Sequence, residues 1–124
     1  MSFTAIAVAA LMGQSAFSLA IEAPKPDSVD AAYAELSSGQ YDDAVNKLEA
    51  RHRLDRSDPA TLINLGAAYA ATGQSDKALA SYQAALDSSD RYELQLADGT
   101  WMDSRVIARV AMRNLLTANM RASR

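Results

Sequence analysis

A chain of 124 residues, 49% apolar and 6% aromatic, has room for one domain with a modest core, and its wealth of alanine beside only five glycines and three prolines leans towards packed helices. The lack of cysteine excludes disulfides, thiolate metal sites and a cysteine nucleophile, and one histidine, His52, leaves too few ligands for a usual zinc or iron site. The net charge of −3 gives no general pull on nucleic acid or anionic lipid, but it is unevenly spread: residues 1–100 carry seven basic and fourteen acidic side chains, a balance of −7, whereas residues 101–124 carry five arginines and one aspartate, a balance of +4.

The chain opens without a charged side chain from Ser2 to Ile21. Phe3 to Met12 is an apolar run of ten residues, the length of a signal-peptide core. Gly13–Gln14–Ser15–Ala16 follows, and Ser18–Leu19–Ala20 fits a small-x-small cleavage pattern that would start the mature chain at Ile21, with Ala16–Phe17–Ser18 as a second site. No Lys or Arg precedes the run, which departs from the usual pattern. Residues 1–20 are therefore read as a signal peptide, with an uncleaved membrane anchor and an ordinary N-terminal helix as alternatives. In 21–26, Pro24 and Pro26 forbid a continuous helix and mark a linker.

The body of the chain repeats itself. Gly39–Gln40–Tyr41–Asp42–Asp43–Ala44 aligns with Gly73–Gln74–Ser75–Asp76–Lys77–Ala78 at an offset of 34 residues, and at that offset Leu48 meets Tyr82 and Ala50 meets Ala84. Each copy reads as two helices joined at the glycine. In the second, residues 58–90, Asp58 caps a helix with Pro59 in its first turn, and Leu62, Leu65, Gly66 and Tyr69 share a face. Gly73 closes that helix, Ser75 is expected to cap the next, and Ala78, Leu79, Tyr82 and Leu86 line it. In the first copy, residues 27–57, Asp27 is the expected cap, Leu36 points inward, Gly39 is the stop, and Val45 and Leu48 point inward. Gly66 and Ala78 allow two helices to approach closely while Tyr69 and Tyr82 fill the space beside them.

Leu62-x2-Leu65-Gly66-x2-Tyr69 followed by Ala78-x3-Tyr82, at this period, resembles the tetratricopeptide repeat. Leu62 replaces the usual aromatic and Asp90 stands where proline is common; in the first copy Ala44-x3-Leu48 fits, but Ala31, Ala32 and Glu35 replace Leu, Gly and Tyr. The resemblance covers about half the chain. It implies an all-α solenoid of helical hairpins whose first helices line a groove for another protein or peptide, and Tyr33, Asn64, Ala67 and Ala68 are the positions it assigns to that groove. Members that grip a peptide carboxylate pair such an asparagine with basic residues on neighbouring helices; here Val29 and Tyr33 stand there instead, so that mode is not expected.

The period stops after the second copy, because a further shift puts Ile107 and Met112 at the glycine and alanine positions. In 91–103, Tyr92, Leu94 and Leu96 alternate with Glu93 and Gln95, and Asp98–Gly99 is a hairpin turn that would set Trp101 opposite Leu96. A short β-hairpin is expected, with an extended loop as the alternative. Asp103 or Ser104 then caps a last helix, 104–121, with Val106, Ile107, Val110, Ala111 and Leu115 as its apolar stripe and Arg105, Arg109 and Arg113 as a basic one. This helix reads as the cap over the second repeat's open end, which solenoids require.

The arginine stripe reads first as the solvated face of that cap or a counterweight to the acidic repeats, with an acidic partner peptide as the alternative. Trp101 is expected to anchor the hairpin, with partner contact as its alternative. His52 reads as packed or half-exposed, and Asp42–Asp43 as first-turn charges of a helix. No phosphate loop, dinucleotide fingerprint or nucleophile motif is present, so neither catalytic residue, cofactor nor metal is expected. The sequence thus points to a non-catalytic scaffold or adaptor module binding another protein, not nucleic acid, periplasmic or secreted, touching a membrane only if its leader is retained. Self-association through an open repeat end is a further expectation. The alternative is a structural subunit of a membrane-anchored or self-associating envelope assembly.

Overall fold

The computed structural model describes residues 32–96 and 98–123. The leader 1–20, the linker 21–26, the Asp27 cap and Val29 lie outside those residues, as does the side chain of Tyr33. In chain order the helices are α1 (Tyr33–Ser37), α2 (Tyr41–Leu54), α3 (Pro59–Ala71) and α4 (Ser75–Asp87); strands β1 (Glu93–Gln95) and β2 (Trp101–Asp103) follow, then α5 (Ser104–Ala122). No described helix is long and apolar enough to cross a membrane.

The two copies close in the same way. Gly39 and Gly73 both adopt φ +81°, a left-handed value that a side chain would strain. After each, the glutamine N–H donates back across the turn, Gln40 to the Glu35 carbonyl and Gln74 to the Tyr69 carbonyl, both at 2.8 Å. The glycine N–H groups donate to Leu36 (3.3 Å) and Ala70 (3.1 Å), completing a Schellman closure in each copy.

This closure decides the next helix start. The Gln74 carbonyl already accepts from Ala78 N–H at 3.0 Å, so Gln74 is the residue flanking α4 and Ser75 lies inside the helix. The expected Ser75 cap is therefore not formed; its hydroxyl donates instead to Asn119 Oδ1 at 3.3 Å, tying α4 to α5. Asp58 does cap α3, accepting from Thr61 N–H at 3.3 Å, and Asp103 caps α5, accepting from Arg105 N–H at 2.8 Å.

The helices pack in sequence, α1 on α2, α2 on α3, α3 on α4 and α4 on α5, with α5 also reaching α3. Tyr82, fully buried, lies against Gly66, where an added Cβ would stand 2.5 Å from its Cε1. A side chain there cannot coexist with the ring, so this close approach belongs to glycine. Leu36, Ala44 and Leu48 fill the first copy, and α5 adds Ile107, Ala108, Ala111 and Leu115. Val106, expected in that apolar stripe, is 38% exposed, and Ala108 is buried in its stead. Ala108 lies about 60° of helix turn from Ala111 and Val106 about 140° from it, so the packed face is turned away from Val106.

The hairpin forms one residue out of the expected register. Glu93, Leu94 and Gln95 pair with Asp103, Met102 and Trp101, and Leu96 N–H donates to the Thr100 carbonyl at 2.7 Å. Trp101 thus faces Gln95, not Leu96. The cause is a three-residue loop, closed by Gly99 N–H donating to the Leu96 carbonyl at 2.9 Å with Gly99 at φ +92°. Leu94 and Met102 face the core and hold the hairpin to the helices, a role expected of Trp101, which is 47% exposed.

Candidate functional site

Helix α3 is the centre of the repeat pair and carries three of the expected groove residues. Every residue from Pro59 to Ala70 is buried. Tyr69 turns to α2, where its hydroxyl donates to the Glu49 carboxylate, and Gly66 turns to Tyr82 on α4. Asn64 and Ala67 fall on the side roughly opposite at 100° per residue. Yet Asn64 and Ala68 are fully buried and Ala67 is 1% exposed. Pro59–Ala71 has no charged side chain, in keeping with a helix buried on every side.

A polar clasp locks the N-terminal end of α3 to the start of the hairpin. Asp58 accepts from the Thr61 hydroxyl at 2.7 Å and from the Tyr92 hydroxyl, with Arg51 Nε at 3.9 Å. Arg51 Nε also donates to Thr61 Oγ1 at 3.1 Å. Beside it the Ser88 hydroxyl donates to the Ser57 carbonyl at 2.5 Å, and the Ser57 hydroxyl to Asp90 at 2.8 Å. Arg105 enters this junction through Nη2, which donates to the Ser88 carbonyl at 2.9 Å. The clasp ties the connection from α4 into β1 to the start of α3.

The electrostatics of the phenols and of two carboxylates follow from burial and from their partners. Burial, with the Glu49 carboxylate beside it, pushes Tyr69 up to about 12. Burial raises Tyr82 further, and burial together with Asp58 raises Tyr92. The Arg91 guanidinium, 2.7 Å away, holds Asp103 below its ordinary value, and the Thr100 hydroxyl does the same for Asp98. Each of these shifts moves its group away from neutral pH, whereas an efficient general acid or base has a pKa near the working pH.

Residues 35–94 match the family model of the tetratricopeptide repeat, a span that runs from within α1 to within β1. Over that span the chain carries tetratricopeptide repeats. No curated protein and no solved structure matches it. Repeats of this family generally serve as non-catalytic interaction surfaces.

Outside the matched repeats, the arginine stripe divides. Arg105 is half-buried in the junction, whereas Arg109 and Arg113 are exposed and make no ion pair among the described residues. Beside them Val106 is 38%, Leu116 44% and Met120 65% exposed. On the hairpin, Tyr92 is 42% exposed, although its hydroxyl is held by Asp58. The sequence reading missed Leu116 and Met120, and set Val106 inside. Their signal was spacing: Val106, Arg109, Arg113, Leu116 and Met120 alternate by three and four residues. His52 is half-buried, within the range expected of it, and among the described residues no cluster of His, Asp or Glu forms a metal cage.

Proposed function

We propose that this tetratricopeptide repeat chain is a scaffold module that holds a segment of another protein in the cell envelope, after export by its N-terminal segment. The observation that carries the binding reading is the outward-facing Trp101 on a hairpin pinned to the repeats by Leu94 and Met102. A half-exposed tryptophan on a rigid support offers large apolar area at little cost in conformational entropy, the usual make-up of an interface anchor. The groove positions Asn64, Ala67 and Ala68, buried in α3, contribute only where a partner enters its packing. A surface on the hairpin and α5 needs no such opening.

Site-specific photo-crosslinking in the producing cell tests this. A photoreactive residue replacing Trp101 is expected to give discrete protein adducts, and one replacing Ala67 is not. Adducts at Ala67 alone return the contact to the groove, and silence at both positions removes the binding reading. The export reading is supported by the run Phe3–Met12 and the Ser18–Leu19–Ala20 pattern. N-terminal sequencing of the mature protein should read from Ile21. A chain beginning at Met1 removes export by cleavage and favours the anchored, structural alternative.

A further inference from the structure

The outer face of α5 is built as a helix-pairing seam. At 100° per residue, Val106, Arg109, Arg113, Leu116 and Met120 fall within about 80° of arc and run roughly 21 Å along the axis. Their three-four-three-four spacing is the a/d rhythm of a coiled coil. The opposite face, Ile107, Ala108, Ala111 and Leu115, is spent in the core, so the seam is a second face of the same helix. Apolar side chains occupy its ends and two exposed arginines its centre, with no acidic partner among the described residues.

We propose that this seam docks an amphipathic helix of another protein, carrying two carboxylates one turn apart between apolar residues. The inference rests on the reading of the chain as a protein-binding module, and names the partner's chemistry. The length and rhythm of the face call for a helix. The charge calls for acid at its centre, since glutamates four residues apart match the ~6 Å step from Arg109 to Arg113. A second copy pairing α5 with α5 sets arginine against arginine, which disfavours it. An anionic membrane is disfavoured too, because the whole chain is net −3 and residues 1–100 carry −7. A short acidic helix, by contrast, meets only the local field, within about 10 Å.

The test uses the full chain and a labelled helical peptide of about three heptads, with leucines at its outer seam positions and two central glutamates, followed by fluorescence anisotropy. The double variant R109E/R113E should weaken binding ~tenfold or more, as should exchanging the two glutamates for glutamine. L116S/M120S should weaken it severalfold, and R53E, a charge reversal on the exposed side of α2, should leave it unchanged. Circular dichroism checks the fold of each, and R109Q/R113Q replaces the reversal if that variant loses helix. Equal binding by the glutamate and glutamine peptides overturns the proposal. So does arginine-dependent dimerisation in sedimentation, or stronger arginine-dependent binding to phosphatidylserine vesicles. If the peptide fails while Trp101 still crosslinks to protein, only this seam falls; if both fail, the module reading falls with it.

Discussion

The two helical hairpins share a turn and differ in filling. Gly39 and Gly73 close their helices with the same pair of hydrogen bonds and the same φ of +81°. Yet α1 runs only from Tyr33 to Ser37, behind Ala32 at φ +64°, whereas α3 runs thirteen residues and is buried almost throughout. The positions that differ are those where the second copy has Leu65, Gly66 and Tyr69 and the first has Ala31, Ala32 and Glu35. The reversal of the chain and the strength of packing are therefore written by different residues. A glycine and the following glutamine set the first; a missing side chain facing a large one sets the second.

The sharpest way to break this contrast is Gly66→Ala. Its Cβ would stand 2.5 Å from the fully buried Tyr82 ring, and the expected cost is about 3 kcal/mol, the upper part of the range for overpacking. Ala32→Gly at the equivalent place in the first copy should change stability by no more than ~1 kcal/mol, since it removes a left-handed alanine and adds chain entropy. Urea unfolding of the two variants measures both. A Gly66→Ala cost below ~0.5 kcal/mol would mean that Tyr82 can swing aside, and the interlock would not be what separates the copies.

Next in size is the cap. Asp58→Ala removes the acceptor for Thr61 N–H, the Thr61 hydroxyl and the Tyr92 hydroxyl together, so a loss of about 2 kcal/mol is expected, the high end for a helix cap. Ser75→Ala, which removes only an exposed contact to Asn119, should cost at most a few tenths of a kcal/mol. Similar losses from both would place the stabilisation of α3 and α4 in their packing and not in the Asp58 clasp.

What the sequence made legible follows the same division. The period of 34, Gly39, Gly73, Asp58, Pro59 and the Gly66–Tyr82 pair are local or short-range signals, and each stands in the fold as read. The Ser75 cap failed because the Schellman closure makes Gln74 the flanking residue, a choice set by the preceding turn and not by cap preference. The hairpin register slipped because Asp98–Gly99 fits both a two-residue and a three-residue loop, and Gly99 closes the longer one. The groove assignment of Asn64, Ala67 and Ala68 came from family position, and all three are buried in α3. On α5 both faces carry apolar residues, so periodicity alone did not tell the core face from the seam.

The shared turn itself can be probed by Gly39→Ala and Gly73→Ala, each expected to cost about 1 kcal/mol for a side chain held at positive φ. Neither site has an atom within 4 Å of an added Cβ, so the cost is purely conformational and should be equal in the two copies despite their different packing. Unequal costs, beyond the error of urea unfolding, would couple turn to filling.

The smallest effect, and the most informative in sign, concerns two buried phenols on either side of α3. The Tyr82 hydroxyl is buried without a hydrogen-bond partner among the described residues, whereas the Tyr69 hydroxyl donates to Glu49. Tyr69→Phe should therefore cost about 1 kcal/mol, and Tyr82→Phe should cost nothing or stabilise by up to ~1 kcal/mol, because it removes a desolvated group and keeps the ring against Gly66. Both phenols have folded-state values raised above 10, Tyr69 to about 12 and Tyr82 higher through burial alone. The unfolded chain then releases these protons first, so stability is full below pH 10 and falls as pH rises above it. Each Phe variant should flatten that fall, measured by urea unfolding between about pH 9 and pH 11. If Tyr82→Phe left the alkaline slope untouched, the Tyr82 phenol would have to ionise as readily folded as unfolded, against its full burial beside Gly66.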